Sequence, residues 1–315
     1  MSVRHATPTL SLSQAEELVK KHYKLTPSEL RHLPSFEDQN IYIAAVEGGE
    51  YVLKIINSEN NCGSGLQKYL MRLLTYLPGI PISKAPLSPR LLYEVGQTAA
   101  RMDNILREVE HPQLNKLQRD SFTWSLSNVP ILEKYIHVLD GDPLQEVVRS
   151  VLHQYKTTVS RKYPRFRKSL IHGDLNDLNV LVQADESRGY RVSGIIDFGD
   201  MSFGCSVYDL AVSIMYMMHL YPNPIEVGGL VLAGWESVLP LNEAERDCLF
   251  WLVLCRFCQQ LVLCLFLSPC YPENQDYIMR LSKRGPLILH KFYEIGKEQV
   301  EKMWFHTAAQ FNDRN

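Results

Sequence analysis

Long uninterrupted hydrophobic runs and an excess of charge of either sign are both missing from this sequence of 315 residues. The most apolar region is cut by Arg256, Gln259 and Gln260 into two seven-residue runs, 249–255 and 261–267. A membrane span needs about 20 apolar residues. With 33 Lys and Arg against 35 Asp and Glu, the formal net charge is −2. These features predict neither a membrane nor a nucleic-acid partner.

A paired cysteine framework is also missing, since the seven cysteines are odd in number and four of them lie between Leu249 and Cys270. This pattern favours buried thiols in a reducing compartment. Cys255 and Cys258 have CxxC spacing, but no second CxxC or CxxH pair completes a zinc site, so core packing is the preferred interpretation. The N-terminus has no apolar signal-peptide segment, and a cytoplasmic location is expected.

Composition is that of an ordinary globular protein, with 45% hydrophobic and 22% charged residues, 17 Gly and 17 Pro. At about 150 residues per domain, the length predicts two domains or one two-lobed unit. No repeat of fixed period is visible, and oligomeric state is not readable from the sequence.

The N-terminal part predicts one helix followed by strands. Ser13 to Glu16 has the form of a capping box that opens a helix to about Tyr23. Two β-like runs, 40–46 and 51–56, flank Glu47-Gly-Gly-Glu50, which is typical of a hairpin. A further strand, 69–76, is stopped by Pro78-Gly79. Period-two alternation places Val52 and Lys54 on one strand face. Taken alone, Lys54 is more simply an exposed lysine on a half-solvated strand.

Helical patterns dominate the rest of the chain, interrupted by short strands between 169 and 198. The sequence therefore predicts an α+β fold with two lobes: a small β-containing lobe of residues 1–78 and a large, mainly helical lobe of residues 79–315. The predicted helices span 89–109, 129–139, 143–159, 207–218, 225–238, 244–267 and 287–305.

The segment 170–200 carries the most informative polar residues. A polar loop, His172 to Asn179, lies between two apolar strands and is expected to be exposed, because a core could not satisfy its side chains. It holds Asp174 and Asn179, five residues apart. Asp197 follows 23 residues after Asp174, at the end of a second buried strand. Carboxylate and amide oxygens at strand ends suit Mg²⁺ far better than zinc.

Phosphoryl transfer depends mainly on positioning and charge neutralisation. Its minimal set is an aspartate that accepts the substrate proton, an Asn and an Asp that hold Mg²⁺, and a lysine that pairs with phosphates. Asp174, Asn179, Asp197 and Lys54 supply that set. Each fragment alone could be a simple turn, but the ordered set favours a small-molecule kinase.

The motifs HGDLNDLN and IDFGD resemble those of the aminoglycoside phosphotransferase and choline kinase superfamily, whose members have a protein-kinase-like fold. Within it, LPSFEDQN, EYVLKI, LIHGDLNDLNVL and GIIDFGDMSFG are similar to the hydroxylysine kinase family. The resemblance implies Asp174 as catalytic base, Asn179 and Asp197 as Mg²⁺ ligands, and Lys54 on the α/β-phosphates.

Further roles come from the same resemblance. The backbone from Leu74 to Leu77, including Tyr76, would form the hinge that binds the purine, with Val52 under the base. Asp209 would brace the catalytic loop, although charge stabilisation at a helix N-terminus explains it equally well. His172 would hold the loop through hydrogen bonds.

The implied reaction moves the γ-phosphoryl group of GTP to 5-hydroxy-L-lysine, giving 5-phosphohydroxylysine and GDP in lysine catabolism. ATP is the alternative donor, and another amino alcohol, aminoglycoside or homoserine is the alternative acceptor, because the motifs do not encode the acceptor. Asp200 and Arg256 are candidates for binding the amino acid. Ordinary ion pairing is the simpler interpretation of both.

One departure concerns the first lobe. Tyr76 follows Lys54 by only 22 positions, where the fold normally has a helix with a glutamate partner for the lysine, plus two strands. Glu59 is the one acidic residue in that stretch and lies in no obvious helix. The chain is therefore expected to lack a piece of this lobe, and a catalytically impaired isoform is the alternative to an active kinase.

Overall fold

The computed structural model describes residues 8–35, 38–57, 69–119, 121–187 and 189–312. It divides into two compact units, Met1–Pro78 and Gly79–Asn315. The first holds an antiparallel sheet and the second is mainly helical, which confirms the predicted α+β class. The assignment of nucleotide binding to the first unit and catalysis to the second stays a prediction.

An antiparallel sheet with one helix against it makes up the described part of the first unit. The elements are α1 (Leu12–Tyr23), β1 (Pro27–Leu33), β2 (Gln39–Ala45), β3 (Glu50–Asn57) and β4 (Tyr69–Thr75). The strand order is β1-β2-β3-β4. The core of this unit joins Ala15 and Val19 of α1 to the aliphatic faces of β2 and β3.

Alternation along β2 and β3 fixes which face is buried. Ile41, Ile43, Leu53 and Ile55 are almost fully buried, and full burial of each such side chain contributes about 1.5–3 kcal/mol. The hairpin between the strands turns at Gly48-Gly49, where φ is 94° and 93°, a conformation that glycine adopts without steric cost. The predicted hairpin is confirmed.

Two local features of this unit differ from expectation. The capping box of α1 is formed by Ser11 and Gln14, so the prediction that Ser13 starts the helix was wrong by two residues. The strand β1, which begins at Pro27, was not predicted from the sequence.

The connection between β3 and β4 is where the sequence predicts a missing segment. The two strands are antiparallel neighbours, with Lys54 opposite Arg72. Residues 58–68, including Glu59, lie outside the described residues, so this prediction is not tested by the structure.

The second unit is built mainly from helices. They are α2 (Pro89–Arg107), α3 (Leu144–Gln154), α4 (Ser160–Lys162), α5 (Ser206–Met218), α6 (Pro224–Glu236), α7 (Glu243–Leu267), α8 (Gln275–Ile278), α9 (Gly285–Ile295) and α10 (Lys297–Asn312). α5 and α7 are buried along nearly their whole length.

Helices α2 and α6 pack backbone against backbone. A Cβ atom on Gly96 would lie 1.9 Å from the carbonyl oxygen of Val231, and one on Gly234 would lie 1.9 Å from that of Tyr93. Only glycine permits so close an approach.

Two predicted helices were wrong in detail. The region 129–139 forms 3₁₀ turns, Leu126–Lys134 and Ile136–Leu139, because Pro130 cannot donate the hydrogen bond that an α-helix needs. The final helix is two helices, α9 and α10, separated at Gly296 with φ of 80°.

Short strands carry the polar loops of the second unit. They are β5 (Ile80–Pro81), β6 (Lys168–Ile171), β7 (Val180–Asp185), β8 (Gly189–Ile195) and β9 (Ser202–Cys205). β7 and β8 are antiparallel, with Val180 opposite Ile195. The loop that precedes β7 and the loop that follows β8 therefore meet at one edge of the sheet.

The two apolar runs around Arg256 belong to one continuous helix, α7. By length and composition this helix could cross a membrane, since an 18-residue window within 243–270 has a mean hydropathy of 1.9. However, 83% of that window is buried inside the unit, as in the core helix of a globular domain. Cys255 and Cys258 lie on this helix and are fully buried.

Candidate active site

The loop from His172 to Asn179 was expected to be exposed, and this prediction was wrong. His172 is 0% exposed, Asp177 3% and Asn179 8%. The loop is buried because its side chains satisfy its own backbone. Asn176, for example, accepts hydrogen bonds from the backbone N–H groups of Leu178 and Asn179 through Oδ1, at 2.8 and 3.1 Å.

Asp209, in the first turn of α5, holds the start of this loop. Its carboxylate accepts hydrogen bonds from the backbone N–H groups of His172 and Gly173, at 2.7 and 2.8 Å. The residue therefore both braces the loop and lies at a helix N-terminus. Gly173 has φ of 81°, and a Cβ there would lie 2.7 Å from the carbonyl oxygen of Asp200. The turn therefore requires glycine.

The ring of His172 joins the two polar loops. Nδ1 accepts from the backbone N–H of Asp174 at 3.2 Å, and Nε2 lies 3.0 Å from the carbonyl oxygen of Ile196. Since the Nδ1 lone pair is used as an acceptor, Nε2 carries the proton and donates to Ile196. The ring also packs 4.7 Å from that of Phe198.

Asp174 is fixed through both carboxylate oxygens. Oδ1 accepts from Nη2 of Arg256 at 3.1 Å, and Oδ2 accepts from Nδ2 of Asn176 at 2.7 Å and of Asn179 at 3.2 Å. Burial raises the pKa of Asp174 to about 6, and Asp200 adds to the rise while Arg256 opposes it. A carboxylate with such a pKa suits general base catalysis near neutral pH.

Asn179 and Asp197 lie close together at the sheet edge, since the N–H of Ile196 donates to the carbonyl oxygen of Asn179 at 2.9 Å. Nδ2 of Asn179 faces Asp174, so Oδ1 is the oxygen left for a ligand. Among the described residues no group of three or more His, Cys, Asp or Glu could hold a metal. Mg²⁺ is commonly bound by one or two protein oxygens plus substrate phosphates, and this pair fits that requirement.

Asp197 has a left-handed backbone, with φ of 63° and ψ of 70°. This conformation is uncommon outside glycine, though Asp and Asn adopt it more readily than most residues. The carboxylate accepts from the N–H of Gly199 at 3.2 Å, and the residue is exposed.

The two candidates for substrate binding are both ion-paired. Asp200 pairs with Arg119 at 3.3 Å, and burial raises the pKa of its carboxyl group. Arg256 is 2% exposed and also donates to the carbonyl oxygen of Trp124 at 2.8 Å. The structure thus gives Arg256 a place beside Asp174 that the sequence did not indicate.

In the first unit, Lys54 is 8% exposed and pairs with Asp38 at 2.9 Å. The simpler interpretation of Lys54 as an exposed lysine was therefore wrong. Val52 lies opposite Leu74 in the sheet, and the N–H of Tyr76 donates to the carbonyl oxygen of Glu50 at 2.9 Å. Leu74 is 47% exposed, and Leu77 is also exposed.

Several polar residues around Asp174 were not predicted from the sequence. Asp177, within HGDLNDLN, pairs with Arg280 at 2.6 Å, and the ring of Tyr216 lies near the guanidinium groups of Arg256 and Arg280. Arg280 is 106 residues beyond Asp174 in the chain. No sequence signal connects such distant positions.

The sequence profile of the APH phosphotransferase enzyme family matches residues 24–241, more than half of the chain. The chain belongs to this family. It is therefore a phosphotransferase enzyme, a kinase of small molecules, as predicted.

Relatives with assigned activities cover nearly the whole chain. Hydroxylysine kinase of Danio rerio is 46% identical over 352 positions, which span 99% of this chain and 99% of that protein. Hydroxylysine kinase of Mus musculus is 39% identical, spanning 97% of this chain and 95% of that protein. The predicted likeness to this group is confirmed.

Solved structures with similar folds are more distant in sequence. A microcompartment-associated aminopropanol kinase has a TM-score of 0.60 at 15% identity and covers 90% of this chain and 98% of its own. The GDP complex of wild-type aminoglycoside 2′-phosphotransferase-IIIa has a TM-score of 0.56 at 14% identity and also covers 90% of this chain and 98% of its own. These neighbours confirm the predicted kinase-like fold.

The alignment with the Danio rerio protein also bears on chain length. It runs over 352 positions, whereas this chain has 315 residues, so at least 37 positions of the relative face gaps in this chain. This difference agrees with the expectation that the chain lacks a segment of its relatives.

Proposed function

We propose that this enzyme transfers the γ-phosphoryl group of GTP to the side-chain hydroxyl of 5-hydroxy-L-lysine, giving 5-phosphohydroxylysine and GDP in the cytoplasmic breakdown of lysine. The observation that carries the proposal is the 46% identity to hydroxylysine kinase of Danio rerio over 99% of both chains. GTP is the donor implied by the likeness to this group, and ATP is the alternative.

Asp174 is the proposed base that accepts the proton of the substrate hydroxyl group. Its two oxygens are oriented by Arg256 and by the amides of Asn176 and Asn179. A fixed orientation matters because misplacing a reacting group by about 1 Å can cost about 10²-fold in rate. His172 and Asp209 are positioning residues, since they hold the backbone of the loop that carries Asp174.

Asn179 and Asp197 are the proposed ligands of Mg²⁺. Bound there, the ion would neutralise the charge of the nucleotide phosphates. The oxygen-only character of the pair supports Mg²⁺ over zinc or copper.

Lys54 is the proposed phosphate-binding residue of the first unit. Its ammonium group is held by Asp38, and nucleotide phosphates would compete for the same charge. The hinge from Leu74 to Leu77 and the side chain of Val52 are the proposed purine site. The exposed side chain of Leu74 is consistent with a binding surface.

An acceptor panel tests the proposed reaction. The purified chain is incubated with Mg·GTP or Mg·ATP and with hydroxylysine, homoserine, choline or ethanolamine, and nucleoside diphosphate release is measured. We expect turnover of hydroxylysine that Asp174→Asn reduces at least 10²-fold. Turnover of another acceptor without hydroxylysine would contradict the proposal.

Thermal unfolding tests the metal site independently of turnover. A ligand at 100 times its Kd stabilises a protein by about 2.7 kcal/mol, so Mg·GTP should raise the Tm of the wild-type chain. Asp197→Ala, which removes both carboxylate oxygens, should abolish this rise, and Asp197→Asn, which keeps one oxygen and tolerates the left-handed backbone, should reduce it. An unchanged rise in Asp197→Ala would exclude Asp197 as a ligand.

Two alternatives to the proposed reaction are each supported by a specific observation. Homoserine kinase of Gluconobacter oxydans is 26% identical over 70% of this chain, which keeps another amino-acid alcohol as an acceptor. The gap of at least 37 positions favours a catalytically impaired isoform as the second alternative. A nucleotide-dependent Tm rise without turnover of any acceptor would support the impaired isoform.

A further inference from the structure

Arg280, two residues after the end of α8, has its guanidinium group over two aromatic rings. Its Cζ atom lies 5.7 Å from the ring centre of Tyr216 and 5.2 Å from that of Tyr277. Stacking of this kind orients the planar guanidinium group. The direction of its N–H donors is therefore fixed before any ligand binds.

Arg280 has hydrogen-bonding capacity to spare. A guanidinium group has five N–H donors, and one of them, on Nη2, reaches Oδ1 of Asp177 at 2.6 Å. Nε is buried and has no acceptor among the residues that the structure describes. A buried donor without an acceptor is unfavourable, so the site is suited to a ligand that supplies one.

Arg280 is linked to the candidate active site through Asp177 and Tyr216. Asp177 follows Asp174 by three residues in the same buried loop. Arg256 lies 5.6 Å from the ring of Tyr216, but its Nη atoms already bind Asp174, Tyr216 and a backbone carbonyl group. Nε of Arg256 is likewise buried without an acceptor among the described residues, but its side chain is only 2% exposed against 24% for Arg280. Of these two arginines, Arg280 is therefore the one that a ligand can reach.

His219 lies near Arg280 and Arg284, in a region that also holds the carboxylates of Asp177 and Asp174. Burial, together with the charges of Arg280 and Arg284, lowers the pKa of His219 to about 4. Both ring nitrogens of His219 are buried without a partner in the described part of the chain. The guanidinium groups of Arg280 and Arg284 themselves attract a carboxylate group and repel an ammonium group.

We propose that Arg280 binds the α-carboxylate group of the acceptor, so that the enzyme selects hydroxy amino acids over amino alcohols. This inference rests on the proposed function, because it assigns a subsite to the same reaction. A carboxylate is planar and accepts two parallel hydrogen bonds, which matches the fork of a guanidinium group. Asp177 and the two rings hold the fork in place.

Binding measurements test the subsite without requiring turnover. Isothermal titration calorimetry compares hydroxylysine with its decarboxylated analogue, the corresponding diamino alcohol, on the wild-type chain and on Arg280→Met. We expect wild type to prefer hydroxylysine about tenfold to 100-fold, the range of a charge-assisted hydrogen bond. Arg280→Met should remove this preference while leaving the analogue's affinity within about twofold.

Two further variants separate recognition from folding. Lys283→Met removes an exposed charge from the same segment and should leave the preference intact. Arg280→Lys keeps the charge but not the fork, and it should lose part of the preference with its Tm close to wild type. If turnover is measurable, Arg280→Met should raise KM for hydroxylysine more than it lowers kcat.

Several outcomes would overturn the assignment. The first is equal affinity of the wild-type chain for hydroxylysine and its decarboxylated analogue. The second is an equal loss of affinity for both ligands in Arg280→Met, and the third is no binding of either ligand. If hydroxylysine binds but is not phosphorylated while another acceptor is, the proposed function fails separately. In that case the affinity of the wild-type chain for homoserine is compared with its affinity for 3-aminopropanol, which lacks the carboxylate group. Equal affinity for the two ligands would overturn the carboxylate subsite.

Discussion

Asp174 has more polar partners than a proton acceptor alone would require. A guanidinium group and two amides bind its two oxygens, so the carboxylate cannot rotate without breaking several hydrogen bonds. A base accepts a proton efficiently only when its oxygen faces the hydroxyl group. Because Asp174 is already held in one orientation, less conformational entropy is lost on reaching the transition state.

Replacing Arg256 tests how much of this arrangement depends on one buried charge. Arg256→Gln leaves Oδ1 of Asp174 without its cationic partner, and breaking a buried pair costs about 3 kcal/mol or more. We expect that loss of unfolding free energy, measured in urea, together with a fall in kcat.

Arg246 provides the matched control on the same helix. It is also ion-paired, with Glu236, but its side chain is 44% exposed. Arg246→Gln should cost less than about 1 kcal/mol. Similar losses for the two variants would mean that the pair of Arg256 with Asp174 has no special role.

Asp209 binds the backbone at the start of the loop that carries Asp174. Asp209→Asn keeps the shape of the side chain but offers one acceptor to two backbone N–H groups. We expect the free energy of unfolding to fall by about 2 kcal/mol, with a lower kcat and an unchanged KM for nucleotide. Asp140→Asn, an exposed change, is the control, and a KM effect without a kcat effect in Asp209→Asn would contradict a positioning role.

Residue types were predictable here, but their surroundings were not. Asp174, Asn179 and Asp197 stand out in the sequence because polar residues follow apolar strands. The burial of the loop could not be predicted, since it depends on Asn176 binding the loop's own N–H groups. Arg280 comes from a distant segment.

At the scale of elements, the contact between α2 and α6 depends on a missing side chain. Alanine normally favours a helix over glycine by about 1 kcal/mol. At Gly234 alanine should instead be less favourable than glycine, because the added Cβ would lie 1.9 Å from a backbone oxygen. We expect Gly234→Ala to destabilise the protein by about 2 kcal/mol, measured by chemical unfolding.

The control for this contact lies on the outer face of α2. Arg101 is exposed, and Arg101→Ala should change stability by less than about 0.5 kcal/mol. If Gly234→Ala stabilised the protein, α2 and α6 would not need their close backbone contact for stability, and the prediction would be contradicted.

Elements with a regular period were predicted well, and their ends were not. Alternation placed β2 and β3, and apolar spacing placed α2, α5 and α7. At the start of α1, both Ser11 and Ser13 are good caps, and packing of Ala15 and Val19 on the sheet decides between them. At Gly296 the periodic pattern continues through a residue that turns the backbone.

At the scale of the whole molecule, the chain is shorter than the Danio rerio relative that aligns with nearly all of it. The family profile extends across both units, yet the alignment leaves at least 37 positions of the Danio rerio relative without a counterpart. The sequence predicts that these positions belong between Ile56 and Tyr69. Lys54 would then lack the glutamate partner that the fold normally supplies, and its pair with Asp38 would help to orient it.

Restoring the segment tests this prediction. Insertion of the Danio rerio residues that face the gap should raise kcat/KM by about 10²-fold, the effect of correct positioning. A Gly/Ser insertion of equal length, at the same place, is the control and should leave kcat/KM unchanged. Equal rates with and without the native segment would show that the present chain is already complete for catalysis.

The position of Arg256 ties the reaction to the folding of the second unit. Arg256 lies in the middle of α7, the helix around which that unit's core is built. A partly unfolded chain that loses the core therefore also loses the cation that orients Asp174. The orientation of the base therefore depends on the native core of this unit, and a change that loosens α7 should lower activity as well as stability.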